Sequence, residues 1–203
     1  LTVPRAPSSI PLPGADAARV HALLAQRTPH GADSARATAQ PALAGLRVIE
    51  MGQYTTAPLV ARQLGAMGAE VLKIEPPGGD GSRAWPPMQD DQGYFFTFSN
   101  SDKQSVTLDL RTSEDRDTFA TLLRHADVLV ENLKPGSLAR LGFSAQALHE
   151  LNPRLVYCSI SGFGADSAYP ERPAFDTVIQ AMSGFMDLTR ADGTPAKAGI
   201  SAE

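Results

Sequence analysis

From Leu43 onward the sequence alternates short apolar stretches with segments of helical spacing, and this alternation limits the possible folds more than any other feature. Parallel strands need crossover connections, so strands separated by helices predict a mainly parallel sheet with helices on both faces. The expected fold class is therefore α/β and Rossmann-like. The stretches typical of strands are residues 46–51, 69–75, 105–110, 127–130 and 155–160.

Helices are expected between these strands. Thr112 and Asp115 form a capping-box pattern, which predicts the start of a helix with Phe119 and its neighbours on the buried face. Residues 78–91 contain glycines, prolines and Trp85 and predict a long ordered loop or a mobile flap. The other helical stretches are residues 58–67, 136–141, 145–151 and 177–186.

The first part of the chain differs from the rest. Residues 1–42 are rich in alanine, proline and serine and contain no aromatic residue, which is typical of a linker or of the tail of a preceding unit. The sequence therefore predicts one folded domain over residues 43–203, preceded by a Pro/Ala-rich segment.

Charge and composition narrow the functional classes. A formal net charge of −4 argues against a nucleic-acid-binding protein, because phosphate affinity needs a dense basic surface. Cys158 is the single cysteine, so no intramolecular disulfide can form. No apolar run reaches the roughly 18–20 residues of a membrane span, and no signal-peptide pattern opens the sequence. We expect a cytoplasmic protein without a membrane partner.

The first strand-to-helix turn argues against a dinucleotide cofactor. A nicotinamide or flavin enzyme places a G-x-G-x-x-G pattern in this turn, whereas residues 52–58 hold a single glycine, Gly52. A metal site is not expected either. The four histidines are scattered, with no second ligand at useful spacing.

Polar and basic residues follow the predicted strands at one edge of the sheet. Ligands of such folds bind beyond the carboxyl ends of the strands, where side chains from several loops converge. Guanidinium, ammonium and amide groups are suited to phosphates. We therefore interpret Arg111, Asn132, Lys134 and Arg140 as candidates for a phosphorylated ligand.

Several blocks, in this order, resemble the class III CoA-transferases. This family includes the formyl-CoA and carnitine CoA-transferases and the α-methylacyl-CoA racemases. The blocks are LxGLRVIE at residues 43–50, LGAMGAEVLKIEPP at 64–77, NSDKQSVTLDL at 100–110, ADVLVENLKPG at 126–136, SGFG at 161–164 and PAFD at 173–176.

The resemblance implies a CoA-binding Rossmann-like domain over residues 43–203 and an interlocked homodimer in the intact protein. It also implies that CoA or an acyl-CoA binds as a substrate beside a carboxylic acid, without a metal. The reaction would pass through a mixed anhydride on an aspartate, whose carboxylate attacks the thioester. The CoA contacts would fall on Thr55, Thr56, Leu108, Arg111, Asn132, Leu133, Lys134, Arg140 and Asp176.

The family's nucleophilic aspartate is expected immediately after Glu203, because residues 195–203 match the approach to it. A slip of one residue would make Glu203 its equivalent, and Asp176 is interpreted as a binding or structural carboxylate. This chain alone is then expected to be inactive, as a fragment of a tandem protein.

Two alternatives remain open. An acyl-CoA racemase is the first, although Phe175 stands where many racemases have a histidine, and a phenylalanine cannot move a proton. A non-catalytic CoA-binding module is the second, if the chain is complete.

Overall fold

The computed structural model describes residues 18, 22, 40–164, 166–170, 172 and 174–199. The interpretation of residues 1–42 as a linker or tail falls almost wholly outside the described residues. The same is true of Glu203 and of the expected approach to the nucleophile from Ile200 onward.

A parallel sheet of five strands forms the centre of the domain, in the order β5-β2-β1-β6-β7. The predicted α/β, Rossmann-like fold with a mainly parallel sheet is confirmed. Two further, very short strands pair with each other as an antiparallel hairpin. The strands are β1 Arg47–Met51, β2 Glu70–Glu75, β3 Met88–Gln89, β4 Gln92–Gly93, β5 Gln104–Thr107, β6 Val128–Glu131 and β7 Val156–Ser159.

The strand order places a topological switch point between β1 and β6. The chain runs outward from β1 through β2 to β5 and then returns to the other side of β1 to form β6 and β7. Successive connections therefore leave the sheet in opposite directions from β1 and β6. A crevice opens at such a point, beyond the carboxyl ends of the strands.

Helices connect the strands, and most lie where the sequence predicts them. Thr112 caps the helix that follows β5, because its side chain accepts a hydrogen bond from the Asp115 N–H, as the capping-box pattern predicts. The helices are α1 Thr56–Ala66, α2 Tyr94–Asn100, α3 Ser113–Arg124, α4 Ser137–Arg140, α5 Ala145–Leu151, α6 Asp176–Met182 and α7 Phe185–Leu188.

One face of the sheet packs on α1. Ala57 and Ala61 are fully buried there, and such small side chains let the helix approach the strands closely. On the strand side the same cluster contains Val48, Val71 and Val130.

The opposite face packs on α3 and α5. Phe119 and Leu123 of α3 are fully buried, and the Phe119 ring meets Phe143 edge to face at 4.9 Å between centroids. Ile49 and Leu129 come from the strands and alternate with the valines of the other face, as the period of a strand requires.

Two predicted segments differ in the structure. Residues 78–91 are not a plain loop, since a 3-10 helix spans Gly81–Ala84 and the β3–β4 hairpin follows it. The helix expected over residues 177–186 is two helices, because Gly184 adopts a left-handed conformation with φ of 79°. None of the helices in the described part of the chain is both long and apolar enough to span a bilayer.

Candidate functional site

A cavity of about 350 Å³ opens at the carboxyl edge of the sheet. The loops after four strands form it: β1, β2, β5 and β6. This position is the one where ligands bind in open α/β sheets. Its lining residues are Met51, Gly52, Gln53, Ile74, Pro76, Pro77, Leu108, Asp109, Leu110, Arg111, Leu133 and Leu141.

Three of the predicted contact residues line this cavity: Leu108, Arg111 and Leu133. Arg111 forms a bidentate ion pair with Asp109, with 2.8 Å from Nε to Oδ1 and 2.7 Å from Nη2 to Oδ2. The hydrogen bonds from Arg111 lower the pKa of Asp109 to about 2. The guanidinium side chain remains 81% exposed at the mouth, so an anion can approach it.

Asn132 and Thr56 meet at the switch point. The Asn132 amide donates to Thr56 Oγ1 at 2.8 Å and to the Gln53 carbonyl at 2.9 Å, while its Oδ1 accepts from the Gln53 N–H at 2.9 Å. The side chain therefore joins the loop after β6 to the turn after β1. Both residues were predicted as ligand contacts, and the structure places them together beside the cavity wall formed by Gln53.

The remaining predicted residues lie at separate places. Thr55 is exposed and precedes α1, and Lys134 is exposed in the loop after β6. Arg140 ends α4 and donates from Nη2 to Ser137 Oγ at 3.0 Å. Asp176 begins α6, where its Oδ2 accepts from Gln180 Nε2 at 2.8 Å. None of these four is among the described residues that line the cavity.

A buried ion cluster lies beneath the turn from Gly52 to Thr55, and sequence reasoning missed it. We define it as Glu50, Lys73, Asp80 and Lys103. Lys73 Nζ lies 3.0 Å from Glu50 Oε1 and 3.0 Å from Asp80 Oδ2, and Lys103 Nζ lies 3.0 Å from Glu50 Oε2. The four side chains are at most 2% exposed.

The sequence carried a signal for this cluster. Glu50 and Lys73 lie inside strands that were expected to be covered by helices on both faces. A charged side chain buried there needs a partner of opposite charge. Burial lowers the pKa of Lys103, and the charge and hydrogen bond of Glu50 only partly offset this effect, which leaves it at about 8.

Glu75 is the last residue of β2, and its side chain bonds to the loop that follows this strand. Its carboxylate accepts from the Asp80 N–H at 2.8 Å, from Arg83 Nε at 2.8 Å and from Ser105 Oγ at 2.5 Å. Burial alone would raise the pKa of Glu75. The hydrogen bonds and the Arg83 charge outweigh burial and lower this pKa to about 2.

Glu131, the last residue of β6, is arranged in the same way. Oε2 accepts from the Leu133 N–H at 2.6 Å, and Oε1 accepts from the Tyr157 hydroxyl at 2.8 Å. Burial, with the hydrogen bond and the charge of Glu131, raises the pKa of Tyr157 to about 12. A buried carboxylate thus fixes the loop that carries Leu133 into the cavity wall.

The comparison with protein families decides the identity of this domain. Residues 43–202 match the model of CoA-transferase family III. This chain belongs to CoA-transferase family III. The class III resemblance read from the sequence blocks is thereby confirmed.

Curated relatives of this family member are similar over most of the described domain. An acetyl-CoA:oxalate CoA-transferase of Acetobacter aceti is 44% identical over 157 residues, which cover 76% of this chain and 40% of that protein. A succinate–glutarate CoA-transferase of Agrobacterium fabrum is 40% identical over 171 residues, which cover 80% of this chain and 43% of that protein. The chain therefore spans less than half the length of these relatives.

Solved structures agree in fold. A CAIB/BAIF family protein from Brucella suis superimposes with a TM-score of 0.75 at 40% identity, over 79% of this chain and 44% of that protein. The hypothetical protein Rv3272 from Mycobacterium tuberculosis superimposes with a TM-score of 0.71 at 32% identity, over 77% of this chain and 44% of that protein.

Proposed function

We propose that this chain is the CoA-binding part of an acyl-CoA:carboxylate CoA-transferase. The observation that carries the proposal is the cavity at the switch-point edge of the sheet, in a domain of CoA-transferase family III. A volume of about 350 Å³ lies at the lower end of the range for small-molecule sites, and suits one portion of a long ligand such as CoA.

The chemistry of the lining supports a ligand with an apolar portion and a phosphate. Leu108, Leu133 and the prolines after β2 offer apolar surface, while Arg111 offers a charge at the mouth. A guanidinium has five N–H donors, and those of Arg111 that do not bond to Asp109 are open to a phosphate oxygen. The proposed CoA contacts are Thr55, Thr56, Leu108, Arg111, Asn132, Leu133, Lys134, Arg140 and Asp176.

The proposed reaction splits CoA exchange into easier steps. An aspartate carboxylate, expected just beyond Glu203, attacks the carbonyl carbon of the thioester. The C–S bond breaks, CoA leaves as the thiolate, and a mixed anhydride forms on the aspartate. The CoA thiolate attacks the aspartyl carbonyl of this anhydride, which releases the donor acid as a carboxylate and leaves an aspartyl-CoA thioester. The acceptor carboxylate attacks that thioester, which forms a second mixed anhydride and releases the CoA thiolate again. Attack of the thiolate on the acceptor carbonyl then gives the new acyl-CoA and the free aspartate. A cytoplasmic homodimer is the proposed working form of the whole protein.

The names of the two relatives define a first substrate panel, made of acetyl-CoA with oxalate, succinate and glutarate. In the complete protein we expect the CoA group to pass from donor to acceptor, with the new thioester detected by mass spectrometry. Unchanged thioesters in the presence of bound CoA would favour the non-catalytic module. Inversion of a 2-methylacyl-CoA without transfer would favour the racemase.

A further inference from the structure

We propose that the buried ion cluster is a positioning device for the CoA pocket. It would act by fixing the backbone of the turn from Gly52 to Thr55, and Asp80 would be its principal positioning residue. The inference rests on the proposed function, because the turn supplies Gly52 and Gln53 to the wall of the cavity.

The cluster bonds to the backbone of the turn at several points. Glu50 Oε1 accepts from the Gly52 N–H at 2.6 Å, and Lys73 Nζ donates to the Gly52 carbonyl at 2.8 Å. Asp80 Oδ1 accepts from the Tyr54 N–H at 3.2 Å. Between these contacts, Gln53 is fixed by Asn132 through both its N–H and its carbonyl. Each residue from Gly52 to Tyr54 is thus bonded by a side chain from another segment or from β1.

The turn has a backbone that needs such support. Tyr54 adopts a φ of 66°, which is unfavourable for a residue with a side chain and persists only when the surroundings determine it. The Tyr54 ring stacks on Trp85 with 4.9 Å between centroids. A Cβ atom at Gly52 would lie 2.5 Å from Ala57 Cβ and 2.6 Å from Glu50 Oε1. The backbone of the turn is therefore restricted to a narrow range of φ and ψ angles.

Stability of the fold does not account for the cluster by itself. A buried ion group replaced by apolar side chains of similar volume is often neutral or stabilising, because burial of the charges is costly. Apolar side chains could not accept the Tyr54 N–H or donate to the Gly52 carbonyl. The arrangement of the cluster is therefore explained by the turn that it binds.

Lys103 extends the cluster to the helix that follows the turn. Its Nζ donates to the Pro58 carbonyl at 2.8 Å and to Asn100 Oδ1 at 2.8 Å. The first turn of α1 and the end of α2 are thereby bound to the same group of charges. Thr56, which bonds to Asn132, begins the helix that is bound in this way.

Two variants of Asp80 separate positioning from general stability. Asp80→Ala removes the acceptor of the Tyr54 N–H and of the Ser82 N–H and hydroxyl. Asp80→Asn keeps an amide oxygen that can accept these bonds, but it removes the charge that faces Lys73 Nζ. Asp127→Ala is the matched control, since the Asp127 carboxylate accepts the Arg47 N–H at 2.9 Å at the opposite end of β1. Each variant of the complete protein is measured by amide hydrogen exchange and by calorimetric titration with CoA.

In Asp80→Ala we expect the increase in amide exchange to be about tenfold or more larger in residues 52–55 than at the central-strand amides of Val48 and Leu129, which report the general loss of stability. CoA affinity should fall about tenfold in Asp80→Ala, and it should be clearly higher in Asp80→Asn than in Asp80→Ala. Asp127→Ala should leave both the turn and the affinity unchanged.

Exchange that rises equally in turn and strands would show a purely structural role and overturn the inference. An equal loss of affinity in Asp80→Asn and Asp80→Ala would also overturn it. If the wild-type protein binds no CoA, the proposed function fails, but the exchange data still decide whether Asp80 fixes the turn.

Discussion

Lys73 Nζ lies 3.0 Å from Glu50 Oε1, and the two residues are direct neighbours in the parallel register of β2 and β1. The pairing of two central strands therefore places opposite charges side by side in a layer that is otherwise apolar. Both side chains are at most 1% exposed. In the described strands, the buried charged residues therefore lie in the half of the sheet nearer the cavity.

Replacement of Lys73 tests the energetic coupling within the ion cluster. Lys73→Met leaves Asp80 without its cation and Glu50 with Lys103 alone. Loss of one partner of a buried ion pair costs about 3–5 kcal/mol of unfolding free energy. Urea unfolding should show this loss, whereas Glu70→Gln should change stability by less than about 1 kcal/mol, since the Arg47–Glu70 pair is exposed. A loss below about 1 kcal/mol in Lys73→Met would contradict the coupling.

Glu75 should make the protein sensitive to acid. Its pKa in the folded state, about 2, lies below the ordinary value of 4.5. The stabilisation is therefore complete above pH 4.5 and is lost as the pH falls toward 2. The expected loss is up to about 3 kcal/mol, reduced by solvent screening at the half-exposed Arg83. Glu75→Gln should flatten the pH dependence of the unfolding free energy in this window. If the unfolding free energy of Glu75→Gln depends on pH as steeply as that of the wild type, Glu75 is not the group responsible.

Phe119 should be the most costly aromatic residue to truncate on the α3 face. Phe119→Ala removes a fully buried ring and its edge-to-face contact with Phe143, which costs about 3–5 kcal/mol. Phe98→Ala is the matched control, because Phe98 is 58% exposed and its ring contacts the Arg62 guanidinium at 4.7 Å. We expect a loss of about 1 kcal/mol or less. Thermal and urea unfolding of both variants measure the difference. Equal losses would show that this core is wrongly described.

Tyr157 should lose its stabilising contact at alkaline pH. Its folded-state pKa, about 12, lies above the ordinary value of 10. The stabilisation is therefore complete below pH 10 and is lost as the pH rises through 12. Tyr157→Phe should remove this alkaline step and leave Glu131 Oε1 buried without its hydroxyl donor, at a cost of about 1–3 kcal/mol near neutral pH. Ultraviolet titration of tyrosine ionisation supplies a second measurement. An ordinary pKa of 10 for Tyr157 would contradict the contact with Glu131.

Much of the fold could be predicted from the sequence because the apolar stretches have clear periods and lie between turn residues. All five strands of the sheet were expected within a few residues of their positions, and the capping box of Thr112 was correct. Helix α2 was not expected. Its sequence, Tyr94–Asn100, is a run of aromatic residues without helical spacing, and its buried residues are Ser99 and Asn100.

Three of the residues that line the cavity were named from the sequence as ligand contacts. Arg111 follows the predicted strand 105–110, so its placement at this end of the sheet could be deduced from the order of strands and helices, whereas Leu108 and Leu133 were named from the family resemblance. The ion cluster could not be deduced in this way, because Asp80 and Lys103 belong to loops whose approach to β1 depends on tertiary packing. Glu50 and Lys73 were visible inside strands, but their partners depend on the register of β1 and β2.

A calorimetric titration of CoA into the complete protein, repeated with Arg111→Ala, tests the central claim most directly. Arg47→Ala is the matched control, since Arg47 is the first residue of β1 and the cavity lies beyond the other end of that strand. A hydrogen bond between charged groups contributes about 1.5–3 kcal/mol, so removal of Arg111 should weaken CoA binding about tenfold or more. Arg47→Ala should bind as the wild type does. No measurable binding of CoA to the wild-type protein, or equal affinity in all three proteins, would contradict the assignment of this cavity to CoA.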